Sequence, residues 1–193
     1  MADHPIPQEP CPNAGAAEKP ERRPRFGLVR SLIAAGIVVV VLAAALALWL
    51  RRSARDQSLT ELIDLHVTML ASRHPVDIES NNSDTVKTWF AGKLPFTFNL
   101  PDLQNTQFKL IGGRVSYFGH NPGAQLLFTA GKHQLSVFLF QSQAGAPFSG
   151  TANKLSFNLE SSRQYNLRFV IVSDAEPDTV HALSNLLRGA ARG

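Results

Sequence analysis

Twenty consecutive residues, Ser31 to Leu50, carry no charge, and they stand between one basic cluster (Arg22, Arg23, Arg25, Arg30) and another (Arg51, Arg52, Arg55). A helix rises about 1.5 Å per residue, so this run spans roughly 30 Å, the thickness of a bilayer's hydrocarbon core. A buried core helix of a soluble domain is usually shorter and has a polar face. A cleaved signal peptide is the stronger rival, because Ala45-Leu46-Ala47 has the small-x-small form a signal peptidase accepts. The length of the run and the arginines after it favour an uncleaved anchor with Trp49 at an interface, where an amphipathic ring is well placed.

Lys and Arg resist translocation, and this sets an expected orientation. Residues 16–30 hold five basic residues and residues 51–65 hold three, which directs the amino terminus to the cytoplasm. The expected location is the bacterial inner (cytoplasmic) membrane, with the carboxy-terminal part in the periplasm. The expected organisation is a disordered, proline-rich cytoplasmic tail over 1–30, a transmembrane helix over 31–50, a juxtamembrane helix over 51–72 and one extracytoplasmic domain over 73–190. Cys11 is the only cysteine, so an intramolecular disulfide and CxxC zinc or redox chemistry are excluded. From Arg51 onward 14 Lys plus Arg face 11 Asp plus Glu, and three of the basic residues flank the membrane. The outer domain is therefore near neutral. The lipid bilayer, with its anionic headgroups, is the expected partner of the flanking arginines, and no nucleic acid is expected.

Beyond the apolar run, Leu59, Leu62, Ile63 and Leu70 recur at helical spacing with His66 on the same stripe, where a packed, hydrogen-bonded core histidine is the expectation. His74-Pro75 breaks that helix. A short strand is expected over Val76–Glu79, followed by a helix capped by Asn82 or Ser83, anchored by Val86, Trp89 and Phe90 and ended by Gly92. Phe96, Phe98 and Leu100 alternate with Thr97 and Asn99 as in a strand. Phe108–Ile111 and Val115–Phe118 read as two strands broken at Gly112-Gly113, and Asn121-Pro122-Gly123 as a turn. Gln125–Thr129 and Gln134–Gln141 form a hairpin, with Val137–Phe140 apolar throughout as expected for a mid-sheet strand covered on both faces. Residues 142–151 read as a loop, and the strands around Leu155–Leu159 and Leu167–Ile171 as a further hairpin. Ser173 and Glu176 have capping-box spacing before a closing helix bearing Val180, Leu183, Leu186 and Leu187 and stopped by Gly189. The fold class is α+β, a mostly antiparallel sheet with flanking helices placed on one face.

Chemistry-bearing motifs are absent. There is no G-x-S-x-G, HExxH, P-loop or G-x-G-x-x-G. His66, His74, His120 and His133 lack the short spacing of a zinc site, and Asp77 with Glu79 reads as a solvated strand edge as readily as an acid/base pair. No catalytic, cofactor-binding or metal-binding residue is assigned, and the chain is expected not to be an enzyme.

The segments HPVDIESNNSDTVKTWFAGKLPFTFNLPDL (His74–Leu103) and FKLIGGRVSYFGHNPGAQLLFTAGKHQLSVFLF (Phe108–Phe140) resemble the extracytoplasmic half of bacterial transmembrane anti-sigma factors. The likeness lies in the His-Pro-Val start, Trp89, the Pro101-Asp102-Leu103 turn, the Leu110–Arg114 stretch and the Ala124–Phe128 strand. That resemblance implies a single-pass regulatory or sensor protein acting by contact with another envelope or regulatory protein. Members carry a cytoplasmic zinc-binding domain marked by His-x-x-x-Cys-x-x-Cys, whereas this sequence offers only His4 and Cys11 there. The alternative expectations are an envelope scaffold or assembly factor without a signalling role and, third, a metal-dependent periplasmic enzyme.

Overall fold

A computed structural model describes the backbone of residues 26–142 and 148–190, with side chains from residue 36 onward. The expected tail, Cys11 and the centre of the 142–151 loop lie outside the described residues. The chain divides into two units, Met1–Ala45 and Leu46–Gly193. The first consists, over its described part, of the amino-terminal portion of one helix, α1 (Phe26–Ala71), which is long and apolar enough to cross a membrane. Its apolar side chains, Ile37 to Leu42 among them, are exposed.

The second unit is built on a seven-stranded, wholly antiparallel sheet. Its strands are β1 (Ile78–Glu79), β2 (Phe108–Phe118), β3 (Asn121–Ala130), β4 (His133–Gln141), β5 (Gly150–Lys154), β6 (Phe157–Gln164) and β7 (Leu167–Ser173). The spatial order is β1-β2-β3-β4-β7-β6-β5. Two-residue hairpins join β2 to β3, β3 to β4, β5 to β6 and β6 to β7. Because β5 lies at the far edge and β7 returns beside β4, the last four strands have a Greek-key arrangement. The two remaining helices are α2 (Ser83–Phe90) and α3 (Pro177–Ala190).

Alternation along the central strands fills two cores. Val137 and Leu139 of β4 join Val86 and Phe90 of α2 and Val180, Leu183 and Leu187 of α3 on one face. Phe138 and Phe140 point to the other face, where Leu59, Leu62 and Ile63 of α1 meet Phe148, Leu159, Val170 and Val172. The expectation of helices on one face is corrected: α1 covers the second. Burying each large apolar side chain contributes about 1.5–3 kcal/mol, so the carboxy-terminal part of α1 is integral to the core. Polar contacts hold it in register. The Gly119 N–H donates to Glu61 Oε1 at 2.7 Å, Lys154 Nζ lies 2.6 Å from Asp56 Oδ1, and Gln125 Nε2 donates to the Leu65 carbonyl at 3.3 Å.

Several local expectations are also corrected. Phe108–Phe118 is one strand; the glycine pair marks a bulge between Leu110 and Gly112. A Cβ on Gly112 would lie 2.0 Å from the Ile78 carbonyl oxygen and one on Gly113 2.8 Å from Leu126, so glycine lets β1 and the core close against the bulge. Asn121-Pro122-Gly123 lies inside β3, and the turn falls at Gly119-His120. Ser173 does not form a capping box. Its hydroxyl donates to the Gln134 carbonyl and accepts from the Ala175 N–H, while the Glu176 carbonyl receives the first helical N–H groups of α3. Gly189 does not end α3, which reaches Ala190. Phe96–Leu100 belongs to no strand.

Candidate functional site: buried polar contacts and a neutral groove

His66 is 1 % exposed, held between α1 and β4. Its Nδ1 shares a 2.7 Å hydrogen bond with the Ser136 hydroxyl, whose oxygen lies 3.7 Å from Met69 Sδ. The ring meets Phe157 edge-on, with centroids 5.4 Å apart. Burial pushes the imidazole down to about 4, against a small opposing pull from Asp174. His66 is therefore a neutral core residue, and the side-chain group it hydrogen-bonds is a hydroxyl.

The other sequence candidates do not converge. His74 is exposed past the end of α1, and His120 is exposed at the β2–β3 hairpin tip. His133 pairs with Asp174, Nδ1 to Oδ1 at 3.1 Å. Asp77 and Glu79 are exposed at the β1 edge. Among the described residues no group of three or more His, Cys, Asp or Glu is arranged to hold a metal ion.

Two buried charges were not singled out from the sequence. Glu160 of β6 is buried beneath α3, with His181 Nδ1 3.0 Å from its Oε2 and Arg188 4.0 Å from its Oε1. The His181–Glu160 pair ties α3 to the sheet. Arg168 of β7 is 4 % exposed. Its Nη1 donates to the Phe148 carbonyl and to Ser161 Oγ, and Arg55 of α1 stacks 5.8 Å from the Phe148 ring centroid. Burial, with Arg163 adding to it, lowers the Arg168 pKa. Arg168 thus fixes the chain entering β5 against the α1 side of the sheet. A charge inside the apolar run Leu167-Arg168-Phe169 was the sequence signal for it.

On the other face, Phe96, Thr97, Phe98 and Asn99 form one wall of a groove of about 350 Å³. Gln164, Tyr165, Asn166 and Leu167 form the opposite wall, with Phe169 between. Among the described residues, no charged side chain lines it. Gln164 Nε2 donates to the Arg188 carbonyl at 2.8 Å, and its Oε1 is buried without a partner among the described residues. Tyr165 is 77 % exposed at the rim. Its described lining is therefore aromatic and aliphatic surface with neutral amide and hydroxyl groups.

No protein-family model and no curated protein matches the chain. Its class rests on its own architecture: an α+β protein whose described residues form a seven-stranded antiparallel sheet and three helices, one of them long and apolar enough to cross a membrane.

Proposed function

We propose that the chain is a non-enzymatic regulatory or sensor protein anchored by one helix in the bacterial inner membrane. Its amino terminus lies in the cytoplasm and its folded domain in the periplasm, where it acts through protein contacts as the outer half of an anti-sigma factor does. The observation that carries this reading is the double use of α1. The helix that supplies the apolar anchor also supplies Leu59, Leu62, Ile63, His66 and Met69 to the interior of the sheet domain. Anything that alters the packing of the sheet alters a helix that continues toward the lipid, which is the property a transmembrane sensor needs. Among the described residues the groove is lined by neutral side chains and the histidines lie apart, which supports contact as the mode of action. An effect on a sigma pathway would pass through a partner membrane protein or through the residues amino-terminal to α1.

The test is co-purification of the full chain from detergent-solubilised membranes. Recovery of a regulatory membrane protein or a sigma factor is expected, and recovery of neither overturns the reading. A deletion that weakens the envelope while leaving sigma-dependent transcription flat would assign the fold to scaffolding instead.

A further inference from the structure

The tightest hairpin turns give both central residues a positive φ, which is why Asn-Gly and Asp-Gly dominate there. The β5–β6 turn has this geometry, with Leu155 at φ 52° and Ser156 at φ 66°, yet neither residue is Gly, Asn or Asp. The β2–β3 and β3–β4 turns place Gly119 and Gly131 at their left-handed positions. Leu155 is also 65 % exposed. A lone exposed leucine is ordinary on a protein surface, but the left-handed conformation is unfavourable for any residue with a Cβ, and glycine would fit there freely. Tyr165, left-handed at the β6–β7 tip, at least presents a hydroxyl to water; Leu155 has nothing polar to offer.

The position of this tip supplies a reason. Lys154, the residue before it, is tethered to α1: its Nζ lies 2.6 Å from Asp56 Oδ1 and donates to the Asp56 carbonyl at 3.1 Å. Arg55 stacks on Phe148, just ahead of β5. The edge strand of the sheet therefore meets α1 at Arg55 and Asp56, shortly after Leu50, the last of the exposed apolar residues Leu46, Leu48, Trp49 and Leu50. At about 1.5 Å per residue the separation along the helix is roughly 8 to 9 Å, and the headgroup region reaches about 5 to 7 Å beyond each side of the hydrocarbon core. The tip is thus within a side chain's length of the interface. Arg51, Arg52 and Arg55 are exposed on the same stretch of α1, a complement to anionic headgroups. We propose that the Leu155-Ser156 tip is a second membrane contact, inserting Leu155 into the headgroup boundary of the anionic phospholipid bilayer that α1 enters. This rests on the reading of α1 as a membrane anchor and adds a lipid contact made by the folded domain. A domain held by a helix alone can swivel about it, whereas two points of attachment fix which way the sheet faces.

Nitroxide labels on the full chain, reconstituted in vesicles of phosphatidylethanolamine and phosphatidylglycerol, test it. In a Cys11→Ser background one label is placed through Leu48→Cys in the anchor, through Ser156→Cys at the tip, or through Lys132→Cys at the β3–β4 tip. Strand β4 meets α1 at Met69, roughly 28 Å along the helix from Leu50, so position 132 is the aqueous reference. Collisions with oxygen, which concentrates in lipid, are compared with collisions with a water-soluble nickel chelate. Labels at 48 and 156 are expected to favour oxygen, and the label at 132 to favour nickel. Adding Leu155→Asn, which suits the left-handed turn, should keep the hairpin folded and cut the oxygen preference at 156 roughly tenfold. A tip label that favours nickel while position 48 favours oxygen overturns the tip contact and leaves the anchor standing. Nickel preference at all three positions overturns the anchor reading as well. A tip label shielded from both reagents, which would mean that protein covers it, overturns the proposal, as does an oxygen preference that Leu155→Asn leaves unchanged.

Discussion

Acidification should weaken the sheet domain through one residue, His66. The imidazole is 1 % exposed and pushed from its ordinary 6.5 down to about 4, chiefly because burial disfavours its charged form. The unfolded chain takes up the proton near 6.5 and the folded one resists until about 4, so between those values the unfolded state binds more protons. Stability is full above pH 6.5, falls as pH drops through the window and levels off below about 4. At about 1.4 kcal/mol for each pH unit of displacement, the full loss from this residue is about 3.5 kcal/mol, a large share of a domain's usual margin. Protonation would place a charge beside Phe157, Met69 and the Ser136 hydroxyl, at the seam between α1 and β4. Urea unfolding of the full chain in micelles, followed by tryptophan emission from pH 7.5 to 4, measures the effect. His66→Asn keeps a hydrogen-bonding group near Ser136 and does not titrate, so its stability should lose the wild-type slope in this window. Parallel slopes for the two proteins, or a wild type that gains stability on acidification relative to the variant, would refute the argument.

Three further substitutions probe the architecture. Gly112→Ala places a Cβ 2.0 Å from the Ile78 carbonyl oxygen, an overlap no rotamer relieves; β1 should detach, with faster exchange at Asp77 and Ser80 and a loss of about 1–3 kcal/mol in urea. Leu62→Ala opens a cavity at a fully buried α1 position and should cost about 2–5 kcal/mol. Leu46→Ala, at a 57 % exposed position, should leave the same urea transition unmoved, so equal effects of the two would contradict the assigned packing of α1. Asn82→Ala removes the side-chain oxygen that accepts from Asp84 N and Thr85 N at 2.9 and 3.0 Å; a loss of about 1 kcal/mol, with fraying at the start of α2 by amide exchange, is expected.

Much of this architecture is legible in residue order, and the failures share a cause. The β3–β4 hairpin and the double covering of Val137–Phe140 follow from local turn chemistry and from an apolar run with no polar face. Asn82 as the cap of α2 is equally local. Phe96–Leu100 shows the limit. Alternation reports which side chains face the core, and it holds there, but it carries no information about whether a neighbouring strand exists. The glycine pair at 112–113 looked like a break because close approach to Ile78 and Phe90 is long-range information. Ser173 reads as a cap until the fold supplies Gln134 as a competing partner. The contacts of Glu160 and Arg168 likewise depend on α3 and on the chain entering β5, each well separated in sequence. The groove was out of reach for a related reason, since its lining comes from segments about seventy residues apart that only the tertiary fold brings together.

The Greek-key return of β7 to the flank of β4 dictates a schedule. A chain emerging amino terminus first completes β2, β3 and β4 while one side of β4 is still unpaired, and that strand carries the continuous apolar run Val137–Phe140. Its open edge cannot close until β7, the last strand made, has arrived. During that interval Val137–Phe140 is a bare, hydrophobic, strand-ready template, the kind of segment that pairs with another copy of itself. A newly made chain is therefore most vulnerable late in its synthesis, and a truncation before Leu167 should yield aggregate rather than a smaller folded domain.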